Sequence, residues 1–224
     1  MSFVFLHSTD SVFVSGSPTL TARGVGHFFG RLRLFRDVTV ELRGGQSLAV
    51  TGANGSGKST LLRILAGVLS PRRGTVRLQV KGKPLSAAAH PLHAGLVAPA
   101  VGVYEELTAR ETLRVLARAR RLEGADRRID AMLDTVGLAA RADDPVGTYS
   151  SGMQQRVKYA AALLPRPPLL LLDEPSANLD AAGREMVDAL AARQRARNRL
   201  LVVATNRPEE VDRHDRSLRI ENHR

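Results

Sequence analysis

Apolar and polar positions alternate along much of this chain, and the period of alternation changes from segment to segment. Val38–Leu42 ("VTVEL") and 74–80 ("GTVRLQV") switch apolar and polar at every residue, the pattern of half-buried strands. Residues 47–52 ("SLAVTG") form a short apolar run that ends in glycine. A helical stretch follows from Lys58 and closes at Gly67. Thr108 and Glu111 have capping-box spacing ahead of "TLRVLARARRL", whose apolar residues recur at helical intervals. Ile129, Met132, Leu133 and Val136 make another stripe, closed by Gly137. Gly152 to Leu164 reads as a helix that Pro165 stops. Residues 168–173 ("PLLLLD") and 200–205 ("LLVVAT") are apolar on both faces, as strands buried from both sides are. Asp180 is placed to cap a helix carrying Met186, Val187 and Leu190. Strands of this kind between helices predict an α/β fold with a mainly parallel sheet covered on both sides.

Composition narrows the picture. With 224 residues, 43% hydrophobic and 25% charged, the chain suits one folded domain with room for a small added lobe. No apolar run approaches the length needed to span a bilayer. The opening "MSFVFLHSTDSVFVSGSP" has no basic leader and is interrupted by Asp10, so a loosely held extension over residues 1–18 is expected rather than a secretory signal. The absence of cysteine excludes disulfides, thiolate metal sites and cysteine nucleophiles. The net charge is +11, and only four of the 33 basic residues are lysines. Such a balance can serve nucleic acid or an anionic membrane surface. The arginines are dispersed along the sequence and aromatics are scarce, which favours a compositional bias, and no specific nucleic-acid partner is expected.

The densest chemistry lies in Gly52-Ala53-Asn54-Gly55-Ser56-Gly57-Lys58-Ser59, which fits G-x-x-x-x-G-K-[ST] between a strand and a helix. Glycines let backbone amides turn inward around phosphate oxygens, and the following helix aims its positive end at the same anion. Lys58 would bridge the terminal phosphates and the Ser59 hydroxyl would ligate Mg²⁺. Downstream, Asp173 and Glu174 end an apolar strand. Asp173 is suited to hold Mg²⁺, and Glu174 to orient and deprotonate a water. In a parallel sheet, strand ends beside a phosphate loop are where ligands bind.

The order of three segments, "GANGSGKST", then "YSSGMQQR" (149–156), then "LLLLDEPSANLD" (169–180), resembles the ATP-binding subunits of ABC transporters, from about Leu20 to Glu221. The resemblance implies a P-loop NTPase of the ABC type, with a small antiparallel β part, a domain over 19–224 and a helical subdomain over about 101–164. It implies ATP and Mg²⁺ as ligands and Gly52 to Thr60 as the nucleotide loop. The family's "LSGGQ" signature is matched by Ser150 and Gly152, with Ser151 and Met153 departing from it. In the family this element faces nucleotide held by a second subunit, so a nucleotide-dependent homodimer or heterodimer is implied. Phe29 stands where the family stacks an aromatic on adenine. Phe28 competes for that role, and either could be plain core. Residues 176–180 ("SANLD") match a dimer-contact loop, and 103–113 ("VYEELTARETL") follow the segment that faces the membrane partner.

Two departures bear on turnover. Where the family has a glutamine sensor, this chain has Ala100; where it has Thr-His, this chain has Thr205-Asn206. A water can replace one Mg²⁺ ligand, but loss of a transition-state donor costs about 10²–10³ in rate. Slow hydrolysis with Glu174 as base is therefore expected, with Asn206 as a weaker donor. The resemblance implies transmembrane permease subunits on separate chains and a peripheral position at the cytoplasmic face of the membrane. Short text such as "VYEELT" with Thr-Asn at the switch is most similar to haem-exporter subunits of cytochrome c maturation. Drug, lipid or polysaccharide export, a dimer clamp with little hydrolysis, and a soluble DNA-associated ATPase remain the alternatives.

Overall fold

The computed structural model of the chain describes residues 16–30, 32–177 and 179–223. Within them, alternation of period two has produced two sheets of different kind. Strands β1 (Thr19–Phe29), β2 (Leu32–Arg43), β4 (Arg73–Val80) and β5 (Lys83–Pro84) form an antiparallel sheet in the order β2-β1-β4-β5. Strands β3 (Ser47–Thr51), β6 (Ala94–Val97), β7 (Leu169–Asp173), β8 (Leu200–Ala204) and β9 (Arg216–Arg219) form a parallel sheet in the order β6-β7-β8-β3-β9. The mainly parallel sheet with a smaller antiparallel part is thus the architecture that the sequence predicts. The alternation missed β6 and β9, each only four residues long. It also missed β1, whose register slips between Ala22 and Val25 and twice more before Phe28. A bulge breaks the period that the eye relies on.

The apolar strands are explained by where their two faces go. Leu169 and Leu171 of β7 and Leu200, Val202 and Ala204 of β8 point into one core, which also holds Leu20, Phe35 and Leu42 of the antiparallel sheet. Helix α1 (Lys58–Leu65) adds Leu61, Leu62, Ile64 and Leu65 to it. Leu170 and Leu172, Leu201 and Val203 face the opposite way. There they meet helices α2 (Ala109–Ala119), α3 (Ala125–Thr135), α4 (Ser151–Leu163) and α5 (Ala181–Ala196). Each strand therefore buries every side chain, at about 1.5–3 kcal/mol per large aliphatic residue, and the one polar position is Asp173 at the end of β7.

Helix ends follow local chemistry. Thr108 and Glu111 make the reciprocal capping box that opens α2. The Asp180 carboxylate accepts from Gly183 N–H at 2.7 Å and starts α5. Gly67, at φ 74°, turns the chain out of α1. Helices α2, α3 and α4 all fall inside the 101–164 segment and pack on one another through Leu113, Ile129, Leu133 and Val157. Of the extension expected over 1–18, residues 1–15 lie outside the described residues. Ser17 accepts from Asn198 Nδ2 at 2.6 Å, and the Pro18 carbonyl accepts from Gly44 N–H at 2.9 Å.

Candidate nucleotide site

Three adjacent parallel strands, β7, β8 and β3, end on the same edge of the sheet, and each continues into a segment singled out in the sequence. From β3 the chain enters Gly52–Gly57 and then α1. From β7 it enters Asp173-Glu174, and from β8 Thr205-Asn206. Topology alone thus gathers residues separated by more than 150 positions, at the strand ends where open α/β sheets bind ligands.

The loop is built around its glycines. Gly57 adopts φ 106° at the N-cap of α1, and a Cβ there would come within 3.1 Å of the Phe35 ring. Gly52 has φ 148°, and a Cβ would lie 2.7 Å from Ile220 Cγ2 and 2.8 Å from the Glu221 carboxylate. No side chain caps α1, and its first turn carries no acidic residue. Its leading amides are therefore left for an anion. The Ser56 hydroxyl is buried in the loop with no hydrogen-bond partner among the described residues. An unpartnered donor, free helix amides and a cationic side chain in one loop fit a polyphosphate.

Lys58 is 6% exposed. Its Nζ donates to the carbonyls of Gly52 at 2.7 Å and Ala53 at 3.2 Å, and lies 3.8 Å from Glu174 Oε1. The ammonium is thus held across the loop with its charge facing the cleft. Glu174 has φ 50°, a left-handed conformation uncommon for a residue with a Cβ. Its N–H donates to the Ala204 carbonyl at 2.9 Å, so the ladder between β7 and β8 holds the strained residue in place. Burial raises the Glu174 carboxyl above its ordinary value; the Lys58 charge opposes this and the nearby Asp173 and Glu210 carboxylates add to it. Asp173 is buried at the end of β7.

These residues line one cleft of about 430 Å³: Asn54, Gly55, Gly57, Lys58, Ser59, Thr60, Asp173 and Glu174, with Phe29 and Leu34 on its apolar side. Ser59 and Asp173 on the same wall form a hydroxyl–carboxylate pair of the oxygen-donor kind that Mg²⁺ accepts beside phosphates. Phe29 is 54% exposed and meets His27 edge-to-face at 4.9 Å. Phe28 does not line this cleft; its ring lies under the Arg72 guanidinium at 5.8 Å. Asn206 reaches the loop through Nδ2, which donates to Asn54 Oδ1 at 2.8 Å. Ala100 lies in the exposed turn between β6 and α2 and brings no polar side chain.

Ser150, Ser151 and Gly152 are not part of this cleft. Ser150 caps α4, its Oγ accepting from Met153 N–H at 3.3 Å. The three line a second cleft with Gly137, Arg141, Arg156 and Asp180. The two clefts have no lining residue in common. Arg156 fixes the second one: Nη1 donates to the Val136 carbonyl at 3.0 Å, and Nη2 lies 3.5 Å from Asp180. In the "SANLD" segment, Asn178 lies outside the described residues. The Ser176 hydroxyl donates to Glu210.

Two supporting residues gave no signal in the sequence. The Glu221 carboxylate, on the last turn of the chain, accepts from Ala53 N–H and backs the phosphate loop. Tyr159 in α4 is fully buried and donates from its hydroxyl to the Pro175 carbonyl at 2.9 Å, just after Glu174. Burial pushes that hydroxyl well above its usual value. Neither belongs to a local motif; both act across a distance in sequence that only the fold closes.

Comparison with known proteins agrees with this geometry. Residues 35–177 match the family model described as ABC transporter. A cytochrome c biogenesis ATP-binding export protein, CcmA, from Bordetella bronchiseptica is 39% identical over 189 residues, covering 84% of this chain and 83% of that protein. A phosphonates import ATP-binding protein, PhnC, from Anaeromyxobacter dehalogenans is 38% identical over 215 residues. That match covers 88% of this chain but 42% of the Anaeromyxobacter protein, so the chain spans less than half the length of that relative. Among solved structures, an ATP-binding subunit of an ABC transporter superposes with a TM-score of 0.78 at 28% identity, over 87% of this chain and 82% of the other.

Proposed function

The chain belongs to the ABC transporter family of ATP-binding proteins, and from that premise we propose that it is a transport ATPase that closes on ATP as a dimer and drives export through separate membrane chains. The observation that carries this reading is the division of the site. The phosphate loop, Asp173 and Glu174 line one cleft, with Asn206 bonded to the loop at Asn54, while Ser150 to Gly152 open α4 on another. One molecule presents half of a nucleotide cage on each of two faces. Apposition head to tail would bring the uncapped amides and Lys58 of one molecule against the α4 N-terminus of its twin, with triphosphate between.

In this reading Lys58 neutralises the terminal phosphates and the α1 amides orient them. Ser59 and Asp173 hold Mg²⁺, which would supply charge stabilisation for the leaving phosphates. Glu174 orients a water and takes its proton; its strained backbone fixes where that proton is received. Phe29 stacks on the base. Asn206 donates one amide N–H toward the transferred phosphate. One of its two amide hydrogens is committed to Asn54 in the present structure, which leaves the second to act. Replacing Asn206 by His should raise steady-state phosphate release by about tenfold or more, since a single donor is worth about 10²–10³. A fall in rate would show that the site is adapted to asparagine.

The partner and cargo follow from surface and similarity. Among the described residues no helix is long and apolar enough to cross a membrane. Val101 and Tyr104, the latter 71% exposed, stand in the connection between β6 and α2. Exposed apolar side chains there suit a membrane chain docking on the cytoplasmic side. The similarity to CcmA supports export in cytochrome c biogenesis, with haem as the cargo we propose. Co-purification from membranes tests it: a tightly held multi-span chain should accompany the wild type. Its loss on the double change V101D/Y104D, with ATP binding intact, is the expected result. A chain that never recovers a membrane protein would remove the transport reading while leaving the ATPase.

A further inference from the structure

Arginines dispersed along the sequence converge in space. Arg127 and Arg128 at the start of α3, Arg166 between α4 and β7, and Arg193, Arg197 and Arg199 at the end of α5 and before β8 line one cleft of about 410 Å³. It lies at the N-terminal edge of β7 and β8, the opposite end of these strands from Asp173 and Asn206. Five-residue strands at about 3.3 Å per residue put it on the order of 15 Å from the phosphate loop.

What distinguishes this cluster is that six arginines share one cleft with so little counter-charge. Several arginines elsewhere are paired, Arg110 with Asp130 and Asp143, Arg141 with Asp144, Arg195 with Asp215 and Arg213 with Asp188, while others among the described residues stand singly on the surface. Among the described residues none of the six cleft arginines makes an ion pair, and the one carboxylate on the lining is Glu123. Asp126, nearby in α3, is committed to Arg114 at 3.2 Å. Helix C-termini do attract cations, and α4 and α5 both end here. Two such ends offer about half a charge each, far short of six guanidiniums. Helix α3 works in the other direction: it begins at the cleft with Gly124 as N-cap and no side chain on its leading amides. The Arg199 guanidinium is held below its ordinary value, by burial first and then by Arg197, Arg166 and Arg193.

We propose that this cleft is an anion site for a multiply charged phosphate group, either free, as a pyrophosphate, or carried on an anionic lipid headgroup. Guanidinium forks from three elements match phosphate oxygens in geometry as well as charge. The size admits two or three phosphates and not a folded partner. Occupancy would relieve the repulsion among the arginines and tie α3 to the ends of α4 and α5.

The test uses the full chain, titrated calorimetrically with inorganic pyrophosphate, beside the variant R166E/R197E/R199E and its neutral counterpart R166Q/R197Q/R199Q. The wild type should show two sites per chain and both variants one, the remaining site being the phosphate loop. ATP affinity should agree within about twofold among all three, which also reports that the variants are folded. Sedimentation with cardiolipin-containing vesicles, whose headgroup carries two phosphates, against phosphatidylcholine vesicles, separates the sources. At least a tenfold greater partition of wild type than variants onto the anionic vesicles assigns the headgroup, and a difference in the pyrophosphate titration alone assigns the free anion. If the three chains bind one pyrophosphate each and partition alike, the cleft holds no anion and the proposal falls. It falls equally if the glutamine variant keeps the second site.

Discussion

Replacing Glu174 by glutamine should stop phosphate release while leaving ATP bound. The substitution keeps the shape of the side chain and the strained backbone at φ 50°, which the N–H bond to Ala204 holds independently of the carboxylate. It removes a base, and a positioned base supplies roughly 10²–10⁴ in rate. On the proposed reading, in which Asn206 is the weaker donor, that loss should take turnover below detection. Binding should survive. Lys58 loses a neighbour at 3.8 Å but keeps its bonds to the carbonyls of Gly52 and Ala53, and a negative charge beside the terminal phosphates disappears. The ATP-loaded variant should therefore double its mass in light scattering, because the closed dimer no longer discharges its nucleotide. The pH profile supplies an independent check. Burial holds the Glu174 carboxyl above its ordinary value, and the base works only when deprotonated. Wild-type kcat/KM should fall as pH drops through that raised value, above the usual glutamate range, and no histidine limb should arise from position 206. Phosphate release unchanged in the variant would take the role of base away from Glu174.

Much of the fold was readable because it obeys one rule at two periods. Strands such as Leu169–Asp173 and Leu200–Ala204 are apolar at every position but the terminal Asp173, and the structure buries one face against α1 and the antiparallel sheet and the other against α2 to α5. The caps at Thr108, Ser150 and Asp180 sit where the residue types place them. Local chemistry of this kind survives in a linear sequence. Strand β1 escaped because its bulges break the alternation, and β6 and β9 because four residues carry too little period. In the site, the phosphate loop was legible as a motif, and the structure does bring Asp173, Glu174 and Asn206 around it. The bond between Asn206 and Asn54 was not legible, nor was the Glu221 carboxylate behind Ala53. Each joins residues more than 150 positions apart through a side chain with many other possible partners. The arginine cleft shows the same limit from the opposite side. Charges that look dispersed in order of sequence meet wherever several helices and strands end together.

Lys58→Ala should weaken ATP binding on the order of 10²-fold and abolish turnover with it. Lys58 is buried, and its ammonium is held in place by two loop carbonyls and Glu174 rather than by solvent. Its order is therefore in place before nucleotide arrives, and little rotamer entropy is lost on binding. A hydrogen bond to a charged group is worth about 1.5–3 kcal/mol, and about 2.7 kcal/mol corresponds to a factor of 10² in Kd. The truncated side chain leaves Glu174 without its cation. A carboxylate next to bound phosphates, no longer offset, repels them and adds to the loss. That second term can be separated by measurement. In the double variant Lys58→Ala with Glu174→Gln, equilibrium titration with a fluorescent ATP analogue should recover part of the affinity, about tenfold, because the repulsive charge is gone. The lost phosphate bond itself should not return. If Lys58→Ala bound ATP as tightly as the wild type, the ammonium would be a structural strut between Gly52, Ala53 and Glu174 and the phosphates would lie elsewhere. Recovery of full affinity in the double variant would place the entire effect on the carboxylate, and leave the loop amides and the α1 N-terminus as sufficient to hold the triphosphate.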